Sequence, residues 1–183
     1  MTVVKSNYEL THNELYETEY WCTQKLIKHF PVEGLTVHEP CAGNHKIADV
    51  LMLAGAAVIT SDIEQYNRPH MFLHDYLNAL PIQTDCVITN PPYGAQNRLA
   101  AKFARLALER CSGLVAMLLT AKFDSGSTRH DLFRNSKRFA AKIVLTDRVK
   151  WFGDGGGTDD HAWFVWTAPH DRRPVLIYEG RDN

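Results

Sequence analysis

Val37-His38-Glu39-Pro40-Cys41-Ala42-Gly43-Asn44 decides how this 183-residue chain reads. The stretch follows Gly34-Leu35-Thr36 and precedes a helix-like run, Ile47 to Ala54; then come Ala56-Ala57-Val58-Ile59-Thr60-Ser61 and Asp62. Strand, glycine-containing loop, helix, strand and acidic residue, in that order, form the opening βαβ unit of a nucleotide-binding doubly wound sheet. Gly43 lets the backbone come close to a ligand. Asp62 lies 19 residues after Gly43 and can accept hydrogen bonds from both hydroxyls of a ribose.

A second stretch carries chemistry. The apolar, β-branched run Cys86-Val87-Ile88-Thr89 ends abruptly in Asn90-Pro91-Pro92-Tyr93, which reads as a buried strand closed by a rigid loop. Pro91 and Pro92 donate no backbone hydrogen bonds and lock their own φ, and Pro91 keeps Asn90 out of helical geometry. The loop therefore presents one amide side chain, free carbonyls and one aromatic face. That set suits a planar NH2 group: the Asn90 oxygen and the Pro91 carbonyl accept its two hydrogens while Tyr93 stacks on the attached ring. Drawing both N–H bonds this way favours a more pyramidal, more nucleophilic nitrogen.

The remaining pattern predicts helix 18–30, strands 35–39, 57–61, 70–73, 85–89, 114–120, 141–147 and 161–167, and helices 46–54, 95–111 and 128–135. Thr18 is the expected N-cap of the first helix, and Pro31 stops it. Alternating strands and helices require a mostly parallel sheet with helices on both faces, and the last two strands, joined by the glycine-rich Phe152 to Gly157, read as an antiparallel hairpin. That connection is a loop or a mobile lid. The composition, 45% hydrophobic and 22% charged, is that of a soluble globular protein, and the length suits one domain with a proper core. No apolar stretch approaches a membrane span, and Met1 to Leu10 lacks a signal core. Cys22, Cys41, Cys86 and Cys111 show no CxxC pairing, which points to reduced thiols and a cytoplasmic protein. His70 and His74 lie four apart but in a strand-like context, so no metal site is expected.

With these motifs in order, the chain resembles the S-adenosylmethionine-dependent amino-methyltransferases that act through an Asp/Asn-Pro-Pro-Tyr motif, in particular small phage- or prophage-type members acting on N6 of adenine in DNA. Glu39 to Asn44 is similar to their cofactor loop, Asp62 to their ribose-binding acid, and His74-Asp75-Tyr76-Leu77 to the motif whose Asp contacts the adenine amino group. Leu15 to Trp21 resembles the segment that touches the methionine end of the cofactor. The resemblance spans about residues 15–168 and includes the tail Gly157 to Trp166. It implies a class I methyltransferase fold over 1–183 without a separate target recognition domain. It also implies S-adenosyl-L-methionine bound by Thr18, Glu39, Pro40, Cys41, Ala42, Gly43, Asn44, Asp62, Ile63, Asp75, Tyr76 and Asn90, with catalysis by Asn90, Pro91, Pro92 and Tyr93. One position departs: the second glycine common in such loops is His45 here, whose ring either narrows the methionine pocket or turns to solvent.

Net charge is −1, but residues 98–150 hold twelve Lys/Arg against four Asp/Glu. This basic third starts just after the catalytic loop, where a phosphate backbone would run. Lys122, Arg129, Arg134, Lys137 and Arg138 are the candidate nucleic-acid contacts, with DNA favoured over RNA as partner. The same loop also serves cytosine N4, RNA adenine and protein glutamine amides in that family, and a fold retained only for binding is the non-enzymatic alternative.

Overall fold

The computed structural model describes residues 15–152, 155–156 and 159–182. Met1 to Leu10 and residues Gly153, Asp154 and Gly157 of the glycine-rich connection lie outside them. In chain order the elements are α1 (Tyr20–His29), β1 (Thr36–Glu39), α2 (Lys46–Leu53), β2 (Ala57–Asp62), β3 (Phe72–Leu73), β4 (Cys86–Thr89), α3 (Arg98–Arg110), β5 (Leu114–Thr120), β6 (Phe139–Leu145), β7 (Lys150–Phe152), β8 (Gly155–Gly156), β9 (His161–Trp166) and β10 (Val175–Glu179). Eight strands form one sheet in the order β10-β6-β9-β5-β4-β1-β2-β3, while β7 and β8 pair separately. Every neighbouring pair in the large sheet is parallel except those of β9, which runs antiparallel to both β5 and β6.

Both faces of this sheet are covered, which is why the central strands read as continuous apolar runs. Leu26 of α1 and Ile47 and Leu51 of α2 pack with Val37, Ile88, Leu118, Ile143 and Trp163 on one face. Ala100, Phe103, Ala104 and Ala107 of α3 pack with Val87, Val115, Met117, Leu119, Phe164 and Trp166 on the other. Strand β5 alternates strictly between the two cores, as a period of two requires. Two buried indoles anchor the layers: Trp163 Nε1 donates to the Cys22 carbonyl (2.8 Å) and Trp166 Nε1 to that of Leu132 (2.7 Å).

The departures from the expected elements have local causes. The helix expected from 95 starts only at Arg98, because Gly94, Gln96 and Asn97 all take positive φ and turn the chain sharply after the proline loop. The helix expected over 128–135 is absent: a single 3-10 turn at Ser127–Arg129 leads into further turns. Gly126, Ser127 and Thr128 are weak helix formers, and Leu132 and Phe133 reach the α3-side core without one. Helix α1 begins at Tyr20 with Glu19, not Thr18, at its N-cap. Strand 70–73 shortens to two residues. Val175 to Glu179 forms an additional parallel edge strand on β6; exposed side chains along it gave no alternating signal. No helix among the described residues is long and apolar enough to cross a membrane.

His38, on β1, is buried, with Nε2 2.8 Å from Ser61 Oγ and its ring edge-on to Tyr76. Burial, reinforced by His74 and Arg110 nearby, pushes its pKa down to about 4. An unfolded histidine titrates near ~6.5, so between the two values the unfolded chain binds more protons. The contribution of neutral His38 is complete above pH ~6.5 and is lost as pH falls toward 4, up to ~3 kcal/mol in all. Denaturant titrations at several pH values should show this slope, and His38→Gln should flatten it; an unchanged slope would remove His38 as its cause.

Candidate active site

The carboxyl ends of β1, β2 and β4 open on one pocket of about 230 Å³. In an open α/β sheet this crevice is where ligands bind. Thr18, Glu39, Pro40, Cys41, Ala42, Gly43, Asn44, Asp62, Ile63, Asp75, Tyr76 and Asn90 all line it. The fold thus brings these residues, scattered between positions 18 and 90, to one place. Leu15, Tyr16, Glu17, Lys46, Tyr66 and Phe103 line it as well. Phe103 has an apolar i, i+4 partner in Leu99, the only local signal for it; that α3 turns this pair toward the pocket is a matter of packing.

Gly43 has φ +49°, and a Cβ built there would lie 2.8 Å from Leu15 Cδ1. Its N–H donates to Asp62 Oδ2 (2.9 Å), and Asp62 Oδ1 accepts from the Ile63 N–H (2.7 Å). The carboxylate therefore braces the loop and retains acceptor capacity beyond these bonds. Burial raises its pKa against the opposing pull of those N–H donors. Glu39, at the end of β1, is 1% exposed, and its Oε2 has no hydrogen-bond partner. Desolvation pushes its carboxyl well above the usual range. A hydrogen bond from the Ala48 backbone N–H opposes that rise, and a cation entering the pocket would stabilise the anion further. Asp75 accepts from the Leu77 N–H and the Asn78 amide.

His45 takes neither of the positions expected for it. Its backbone is left-handed (φ 66°, ψ 24°) at the N-cap of α2, which is the reason a glycine suits this site. The ring is 6% exposed and does not line the pocket; its Nε2 lies 3.0 Å from His70 Nδ1. Burial, with the Arg68 charge and His70 nearby, lowers its pKa. His70 thus faces His45 across the loop. Among the described residues no group of three or more His, Cys, Asp or Glu is placed to hold a metal ion.

In the proline loop, Asn90 Nδ2 donates to the Tyr16 carbonyl (3.1 Å) and to Thr18 Oγ1 (3.2 Å). A backbone carbonyl can only accept, so the amide must face it with its NH2, which assigns the flip and presents Oδ1 as the acceptor. Thr18 therefore uses its hydroxyl on Asn90 and not as a helix cap. Pro91 is buried and Pro92 lines the pocket. Tyr93 is half-buried, its hydroxyl on the Leu118 carbonyl (3.3 Å) and its ring 6.1 Å from that of His161, outside the pocket lining.

The five basic candidates do not form one surface. Lys122 and Arg129 follow β5 at the end that carries Asn90, but Arg129 is turned inward, Nε on the Phe123 carbonyl (2.6 Å) and guanidinium 4.7 Å over its ring. Arg138 precedes β6 at the opposite end. Its guanidinium donates to the carbonyls of Thr167, Leu108 and Gly113 at 2.6–2.8 Å, and burial lowers its pKa. It braces the fold and is not a phosphate ligand. Lys137 sits at that same far end, and Arg134 lies on the turns between. Arg98, Lys122, Arg148 and Lys150 are instead exposed basic residues that follow strand ends on the Asn90 side.

No protein-family model and no curated protein sequence matches the chain. The strand order, with β9 inserted antiparallel, is that of the class I S-adenosylmethionine-dependent methyltransferase fold. Solved structures that share it include a candidate RNA methyltransferase from Pyrococcus horikoshii, at 16% identity and TM-score 0.69 over 90% of this chain and 94% of that one. A type I restriction-modification methyltransferase subunit from Streptococcus thermophilus matches at 14% identity and TM-score 0.66 over 90% of this chain, which spans 47% of that longer protein. Magnesium protoporphyrin IX methyltransferase from Synechocystis PCC 6803, solved with bound S-adenosylmethionine, matches at 15% identity and TM-score 0.59, covering 80% of this chain and 76% of that one.

Asp62→Ala should remove the Gly43 partner and leave a buried N–H unsatisfied, at a cost of about 1–3 kcal/mol. Denaturant unfolding should register this loss. Calorimetry should also show S-adenosylhomocysteine affinity weakened about ten- to a hundredfold, on the order of 1.4–2.7 kcal/mol; unchanged stability would mean that Asp62 does not brace the loop.

Proposed function

We propose that the chain transfers a methyl group from S-adenosylmethionine to an exocyclic amine, N6 of adenine in DNA. One observation carries the reading: a single pocket joins the Gly43 loop, Asp62 and the buried Glu39 carboxyl to an Asn90 amide turned so that its oxygen can accept. The residues present fit the cofactor. Glu39 supplies a buried carboxyl whose anionic form the methionine ammonium would stabilise, Gly43 leaves room for close backbone approach, and Asp62 retains lone pairs for a ribose hydroxyl.

When bound, S-adenosylmethionine supplies an electrophilic methyl on a sulfonium. The chain's own part is to present the nucleophile. Asn90 Oδ1 and the Pro91 carbonyl accept hydrogen bonds from the two amine N–H groups and orient the nitrogen lone pair toward the pocket. The stiffness of the two prolines means that little reorganisation accompanies this step. Tyr93, held by its hydroxyl, offers its ring for stacking to a base swung out of the helix. A His45 ring crowding the pocket would favour a fold kept only for binding, and that ring faces His70 and does not line the pocket. Nucleic acid as substrate is supported by Arg98, Lys122, Arg148 and Lys150 around the Asn90 end.

Labelled cofactor offered in parallel to DNA, RNA and protein, followed by mass spectrometry of the products, should yield N6-methyladenine in DNA. Label only in RNA or on glutamine would overturn the substrate, and no label anywhere would overturn the activity. Asn90→Ala should reduce transfer by a factor on the order of 10² or more. DNA binding should weaken with salt, and Lys122→Ala should reduce the slope of log affinity against log salt by about 1, whereas Lys137→Ala should leave it unchanged. Equal effects of the two variants would contradict the one-ended placement of phosphate contacts.

A further inference from the structure

The segment that holds the Asn90 amide is itself held from the far end of the chain. Glu19 is the N-cap residue of α1, yet its side chain makes no cap bond to its own helix. Its carboxylate instead takes the Arg181 guanidinium and the backbone N–H of Lys150 (2.8 Å). The Arg181 guanidinium lies 4.9 Å over the Trp21 ring and also donates to the Arg148 carbonyl (3.2 Å). The Arg181 backbone N–H is fixed on Asp147 Oδ2 (2.8 Å). Around it, Glu179 accepts from Lys28 (2.8 Å) and lies 2.6 Å from His29 Nε2, and Lys25 pairs with Asp182. A side chain at Gly180 would come within 2.6 Å of Asp147 Oδ2, so the backbone passes tightly here. On the other flank, Tyr16 meets Trp151 edge-to-face at 5.8 Å.

We infer that Arg181 is a positioning residue for the Asn90 amide, acting through Glu19 on the Tyr16–Thr18 segment. Thr18 Oγ1 and the Tyr16 carbonyl set the flip of the amide, and Glu19 is the next residue. Its carboxylate is fixed by donors from two segments that lie 131 and 162 residues away in sequence. A planar guanidinium suits this place because it can bond the carboxylate and a carbonyl while its face rests on Trp21, which an ammonium cannot do together. Removing it leaves Glu19 on the Lys150 N–H alone and so loosens the segment that carries the two acceptors orienting Asn90. The word positioning rests on the methyl-transfer reading of Asn90, but the mechanical link does not.

Hydrogen exchange followed by mass spectrometry, on the full chain without ligand, tests the link directly. In Arg181→Ala, amides of residues 16–19 should exchange at least about tenfold faster, with Arg181→Lys intermediate. Lys28→Ala, which removes an ion pair from Glu179 on the same tail, should leave those amides unchanged. Labelled-methyl transfer by Arg181→Ala should fall about tenfold in kcat, with a smaller change in KM for DNA. Unchanged exchange in Arg181→Ala would overturn the inference, as would equal acceleration in Lys28→Ala, which would mean general loosening of the tail. Faster exchange with unaltered kcat would overturn the positioning role. Absence of transfer by the unmodified protein would instead overturn the methyl-transfer reading, and the exchange arm would still report on the link.

Discussion

The bond from the Gly43 N–H to the Asp62 carboxylate is the constraint on which the rest of the pocket depends. It joins the ends of β1 and β2, adjacent parallel strands whose side chains would otherwise diverge where the sheet stops. With the loop held there, α2 starts directly behind it, and the chain must pass through a left-handed residue to do so. That residue is His45, and its ring is turned away from the pocket onto His70. A left-handed non-glycine residue is tolerated only where its surroundings over-determine it, and a buried imidazole contact is one way of doing so.

The same economy governs Asn90. The family resemblance directs attention to its oxygen, but what sets that oxygen is the nitrogen, committed to Tyr16 and Thr18. The amino-terminal segment therefore has two roles: it covers the Gly43 loop through Leu15 and it orients the amide in the proline loop. Residues separated by more than seventy positions thus form a single constellation. Burial supplies its electrostatics, since a Glu39 carboxyl with one unpaired oxygen and a desolvated Asp62 are both arranged to gain from a cationic, hydroxyl-bearing ligand.

Charge needs the same three-dimensional sorting. Along the chain the basic residues between 98 and 150 read as one patch. In the fold they divide between the two ends of the sheet, because β5 and β6 run the same way and the connection between them must cross from one end to the other. Arg138 then falls at the end remote from Asn90 and spends its donors on three carbonyls. Arg129 is drawn onto Phe123. A guanidinium is a good phosphate ligand and an equally good clamp for orphan carbonyls, and composition does not distinguish the two uses.

What the sequence by itself determined was whatever depends on neighbours along the chain. The apolar runs of β1, β2, β4 and β5, the glycine required by the turn at 43, the acid closing β2 and the rigidity of Pro91 and Pro92 are local properties of φ preference and periodicity. Together they specified the parallel sheet and the residues at its carboxyl ends. Only the tertiary structure decided the partners. That His45 meets His70, that Thr18 binds Asn90 in place of capping a helix and that Val175 to Glu179 adds an edge strand all depend on contacts between segments far apart in sequence. Hydrogen-bond donors and acceptors are chemically interchangeable until packing selects which of them can meet, so these choices exist only once the chain is folded.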